Sequence, residues 1–104
     1  MIKINVMYPY SDSTRFDHDY YLKKHFPLVE ERLSPHGLRG WGIEKGLSGG
    51  APGEKAPYHS IGYMLFDTVE AFQAGMAQVG QELVADVPNY TDVQPQFMVS
   101  EVVK

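Results

Sequence analysis

The chain has no cysteine. That excludes disulfide staples, thiolate metal sites and a cysteine nucleophile, and it is the usage expected in a reducing compartment. Basic runs are missing too, and the formal charge is −4. Nucleic acid and anionic membrane surfaces are therefore poor candidates for the main partner. No apolar stretch approaches the ~20 residues needed to cross a bilayer. The start, Met1-Ile-Lys-Ile-Asn-Val6, alternates instead of forming the continuous apolar core of a secretion signal. A cytoplasmic protein is expected. Nor is there a phosphate loop or dinucleotide fingerprint. The glycines between positions 46 and 53 lack the strand-to-helix setting those motifs need, so no cofactor is expected.

What remains is ordinary globular material: 104 residues, 43% hydrophobic and 21% charged, enough for one domain with a shallow core. Ile2, Ile4, Val6 and Tyr8 alternate with Lys3 and Asn5 and predict a strand closed by Pro9. Residues 11–14 are a polar loop, and Thr14 with Asp17 resembles a capping box. A helix to about Leu33 follows, with Tyr21, His25, Leu28, Val29 and Arg32 or Leu33 on its inner stripe. Residues 38–47 predict a second strand, with Trp41 and Ile43 on one face. Gly40, Gly42 and Gly46 on the other face suggest a close neighbour. Residues 48–57 form a Gly- and Pro-rich hairpin loop, and residues 58–66 a third strand. A second helix begins at Asp67, with Glu70 as capping-box partner and Phe72, Met76, Val79 and Leu83 as its apolar stripe. The turn Val87-Pro-Asn-Tyr90 leads to a fourth strand over residues 92–103.

The order βαββαβ predicts an α+β, ferredoxin-like domain spanning residues 1–104: a four-stranded antiparallel sheet with both helices on one face. Strands three and four are apolar on both sides. The uncovered face is then a liability in a monomer, and a homodimer of face-to-face sheets is expected.

The segment Asp17-His-Asp-Tyr-Tyr-Leu-Lys-Lys-His25-Phe-Pro27 breaks a local rule. Pro27 removes a backbone donor and clashes with the carbonyl four residues back, and it pushes Phe26 away from helical geometry. A kink or interruption of the helix beside His25 is expected, and such departures concentrate at working sites. Imidazole titrates near neutral pH and moves protons either way. Tyr21, one turn earlier, can orient it or donate to a substrate oxygen. The competing reading is a buried histidine that satisfies the carbonyl freed by Pro27. Trp41, Tyr63, Tyr8, Ser60 and His59 are candidate substrate-binding residues, because aromatic bodies with a few polar tips suit a small-molecule pocket. Ordinary aromatic core is the alternative for Trp41, and a surface position for His59. His18 and His25 lie roughly 10 Å apart along a helix, too far for a shared ion with nitrogen bonds of about 2 Å. No metal site is expected.

Phe16-Asp-His-Asp-Tyr20-Tyr21 with His25-x-Pro27-Leu28 resembles the EthD family of small dimeric α+β barrel proteins, named for ethyl tert-butyl ether degradation. Phe66-Asp67 with Glu70-Ala-Phe72, Asp86-Val-Pro-Asn-Tyr90-Thr-Asp92, Gln94-Pro95 and Ser100-Glu-Val102 extend the likeness over nearly the whole chain. The resemblance implies homodimers whose sheets form a barrel. Its wider superfamily includes cofactor-free monooxygenases, muconolactone isomerases, polyketide cyclases and heme-acting enzymes. In the methylmuconolactone isomerases a histidine on the equivalent helix is the catalytic candidate, and His25 matches it. The leading expectation is a cofactor-independent enzyme (isomerase, cyclase or monooxygenase type). It would act on a small apolar or aromatic oxygenated compound in the catabolism of organic compounds, with His25 and Tyr21 as catalytic residues. A non-catalytic binding or accessory subunit of an oxygenase system is the alternative, and heme binding through a histidine a weaker third.

Overall fold

The computed structural model describes all 104 residues. Four strands, β1 (Ile2–Pro9), β2 (Gly40–Lys45), β3 (Tyr58–Phe66) and β4 (Gln96–Glu101), form one antiparallel sheet in the order β2-β3-β1-β4. The alternation in β1 sends Ile4, Val6 and Tyr8 to one face, where they are buried. Ile4 sits opposite Met64 of β3 and Val99 of β4, so these three share that face. The helical layer covers it: α1 (His18–Tyr20), a π-helical turn (Tyr21–His25), α2 (Phe26–Leu33) and α3 (Val69–Asp86). The ferredoxin-like α+β expectation is met. None of the helices is long and apolar enough to cross a membrane.

Phe26, Val29, Leu33, Leu83 and Phe66 close the core against Ile4 and Val6, each apolar side chain adding about 1.5–3 kcal/mol on full burial. Two glycines let large rings lie flat on the sheet. A methyl group on Gly62 would overlap the Tyr21 hydroxyl, and one on Gly42 would strike the Tyr63 ring. The close neighbour expected of the strand-two glycines is thus, at Gly42, Tyr63 on the uncovered face.

The α-helix is interrupted beside His25, as expected, by the π turn that precedes Pro27. Phe26 stays helical at φ −68°, ψ −33°, and its N–H reaches back five residues to the Tyr21 carbonyl. The wider turn gives the proline ring room that regular α geometry denies, and Pro27 falls in the first turn of α2, where its missing donor costs little. The extra residue also turns both His25 and Phe26 inward; each is buried.

Several boundaries move for local reasons. Asp17, not Thr14, caps the first helix, its Oδ1 accepting the Tyr20 N–H at 3.0 Å. Thr14 is engaged instead with the Ser11 carbonyl and the His59 ring. Thr68, not Asp67, caps α3 through the Ala71 N–H at 3.1 Å, because the Asp67 carboxylate pairs with Arg39. β4 begins later than expected. Thr91 is fastened to the Arg15 carbonyl and bridged to Phe16, and Pro95 has no N–H for the ladder.

Candidate active site

The π turn places His25 over the end of α3. Its Nδ1 donates to Asp86 Oδ2 at 2.9 Å. Asp86 Oδ1 accepts from the Tyr20 hydroxyl at 2.7 Å and from Asn89 Nδ2 at 2.9 Å. Asp86 closes α3, and Asn89 lies in the 3₁₀ turn Val87–Asn89 that follows, so this one corner meets both Tyr20 and His25 of the first helical segment. Burial works against the Asp86 charge, but the three donated hydrogen bonds outweigh it and hold the carboxyl below its usual range. For His25 burial is also the largest influence and lowers its proton affinity; the Asp86 hydrogen bond and charge oppose this without cancelling it. The ring is therefore neutral at pH 7, with its proton on Nδ1. Its Nε2 makes no hydrogen bond to the protein and is not fully buried.

His25 forms part of the wall of a cavity of about 650 Å³ between α3, β1, β4 and residues 87–95. Twelve of the nineteen residues around it are apolar, among them Val6, Phe26, Met64, Leu83 and Phe97, which suits a ring-sized organic ligand. Val84 and Phe97 at its edge are 61% and 62% exposed, so the cavity has an open mouth.

Two phenols, Tyr21 and Tyr90, pack on the histidine, and a third, Tyr8, packs on both of them. Tyr21 stacks on His25, with ring centroids 5.5 Å apart and planes within 19°. The Tyr8 and Tyr90 hydroxyls are 2.6 Å apart. Burial raises the proton affinity of Tyr8, Tyr21 and Tyr90, so all three remain hydrogen-bond donors at neutral pH. One hydroxyl of the Tyr8–Tyr90 pair donates to the other, and the Tyr21 hydroxyl also interacts with that of Tyr8, so the three phenols form one chain. Tyr8 and Tyr21 both line the cavity.

The family model for the EthD domain matches residues 12–94. The chain belongs to the EthD family. An EthD-like protein of Ralstonia eutropha is 42% identical, with a TM-score of 0.94 over 99% of this chain and 92% of that one. An ethyl tert-butyl ether degradation family protein of Bacillus halodurans is 21% identical, with a TM-score of 0.74 over 99% of both chains. The fold also resembles a cofactor-independent oxygenase of Streptomyces nogalater, at 10% identity and a TM-score of 0.58 over 99% of this chain and 92% of that one. No curated protein matches the chain.

Within this EthD domain His25, Tyr21 and Tyr8 converge on the cavity, whereas Trp41, Tyr63, Ser60 and His59 do not line it. Trp41 lies behind Phe26, stacked on it at 4.9 Å, with its Nε1 donating to Glu30. Tyr63 crosses Gly42 on the other face and receives Lys3 over its ring. Ser60 is buried and donates to the Glu44 carbonyl. His59 sits at the loop end, bonded to Thr14 and near Phe16. Asp86, rather than Tyr21, holds the His25 ring by a hydrogen bond. No spacing rule in the sequence points to Asp86, Tyr20, Asn89 or Tyr90. Their only signal was membership of motifs, Asp86-Val-Pro-Asn-Tyr90 and Tyr20-Tyr21, that carry the family resemblance.

Proposed function

We propose that this EthD-family protein binds a small apolar or aromatic, oxygen-bearing compound in the cavity beside α3 and removes a proton from it with His25. The observation that supports this most is the His25–Asp86 pair: Nδ1 is held by a carboxylate, Nε2 makes no hydrogen bond to the protein, and the side chain is part of the cavity wall. A ligand C–H or O–H proton would pass to Nε2. The resulting imidazolium is stabilised by Asp86, and the charge left on ligand oxygen can be met by a phenolic donor of Tyr8 or Tyr21. That step is common to isomerisation, cyclisation and cofactor-independent oxygenation, the last taking dioxygen as co-substrate. A role in the catabolism of organic compounds fits such chemistry. We further propose a homodimer closed over the helix-free sheet face, where Ile61, Tyr63 and Leu65 stand beside Met98, itself 51% exposed. A monomer at micromolar concentration in sedimentation equilibrium would remove that part.

The test of the chemistry is a panel of small phenols and lactones, followed for ligand binding, oxygen uptake and product formation. His25→Gln is expected to cut turnover by about 100-fold or more while leaving ligand affinity and the dimer intact. Full turnover in His25→Gln would end the proposal. Binding across the panel with no turnover would favour the accessory-subunit reading.

A further inference from the structure

We infer that the cavity ligand carries a carboxylate, or a planar oxyanion of the same shape, and that Arg15 at the cavity edge receives it. This rests on the cavity being a ligand site but not on the proton-transfer step.

The chain has three arginines. Arg32 pairs with Glu82 and Glu31, and Arg39 with Asp67. Arg15 has no carboxylate partner for its guanidinium, and it is the arginine that lines the cavity. In a chain of charge −4, with acids in excess, an unpaired arginine beside an apolar hollow stands out.

Arg15 is also held in place. Its N–H donates to Asp92 Oδ1 at 3.0 Å, and its carbonyl accepts from Thr91 Oγ1 at 2.7 Å. Its Nη2 donates to the Pro88 carbonyl at 2.8 Å. Pro88 belongs to the same turn that follows Asp86, so the guanidinium is tied to the corner that carries the His25 partner. One N–H of the five-donor fork is used there, and the others have no protein acceptor. Arginine's planar fork matches a carboxylate edge to edge. Asp92, also at the edge, is the one carboxylate lining the cavity. It is drawn to the Arg15 backbone, with no ion pair to the guanidinium, and it repels an incoming anion. A small cyclic acid fits this distribution: acid group at the rim on Arg15, ring among Val6, Phe26 and Leu83.

The experiment is calorimetry on the full-length chain with matched probes, salicylate against salicylamide and 4-hydroxybenzoate against 4-hydroxybenzamide. The native protein is expected to prefer the acid of a pair by about 10-fold or more, as a charge-assisted hydrogen bond implies, with the preference shrinking as salt is raised. Arg15→Gln should abolish the preference and leave amide affinity in place, and Asp92→Asn should strengthen acid binding. Equal affinity for acid and amide, a preference that survives Arg15→Gln, or no binding of either acid would each overturn the inference. His25→Gln separates the two readings. It should keep the acid preference whether or not it loses turnover.

Discussion

Gly62→Ala tests the packing on which the site depends. The added methyl would overlap the Tyr21 hydroxyl and lie 2.9 Å from Phe26 Cε2. Neither ring can retreat into water: Tyr21 is 1% exposed and Phe26 2%. Overpacking a core by a methylene or so costs about 1–3 kcal/mol. With two buried aromatic neighbours the upper half of that range applies, about 2–3 kcal/mol. For a domain of this size that corresponds to a fall in Tm of roughly 10–20 °C. The perturbation reaches the site as well, because the Tyr21 ring stacks on His25. The assay is urea denaturation, with the His25 ring signals followed by NMR in the folded state. Gly50→Ala is the control, since a methyl there meets nothing within 4 Å, and it should leave stability unchanged or slightly raised. A Gly62→Ala protein as stable as its parent, with His25 unshifted, would refute the reasoning.

Other expectations follow from the same geometry. Asp86→Asn removes the charge that opposes burial at His25, so the His25 titration midpoint should fall below that of the parent; an unchanged or higher midpoint in NMR would show that Asp86 does not act on the ring. Stability should decline on acidification. His25 has its folded proton affinity lowered from an ordinary 6.5 and Asp86 from 3.8, so the unfolded chain binds protons first. The His25 contribution is full above pH 6.5 and is lost as pH falls through its folded value, followed by that of Asp86 below 3.8. Urea midpoints taken from pH 8 to 4 check this, and stability that rises between pH 6.5 and 5 would contradict it. Thr68→Ala should cost about 1 kcal/mol as a lost helix cap, whereas Asp67→Ala, which breaks an exposed ion pair with Arg39, should leave the midpoint where it is.

The fold was legible because its signals are local. Period-two alternation marked β1, and residues 58–66 matched β3 to the residue. The order βαββαβ then left few ways to arrange a sheet. The site was legible only in part. His25 stands out because Pro27 breaks the pattern beside it, and the interruption takes the form of a π turn. Its partner could not be read, since Asp86 lies 61 residues away and no spacing rule links a first helix to the end of a second. Strand faces misled for a related reason. Trp41 does face the helical layer, but Phe26 stands between it and the cavity. Phe26 is not legible as core, because in a regular α-helix it would not point the same way as His25.

The measurement that bears most directly on the site is the protonation of His25 by long-range ¹H–¹⁵N NMR. The structure predicts a neutral ring at pH 7 with its proton on Nδ1, titrating below the ordinary 6.5, and an Nε2 signal that moves when a ligand fills the cavity. A proton on Nε2 in the free protein, or a titration above 6.5, would contradict the account of His25 as a base held ready by Asp86.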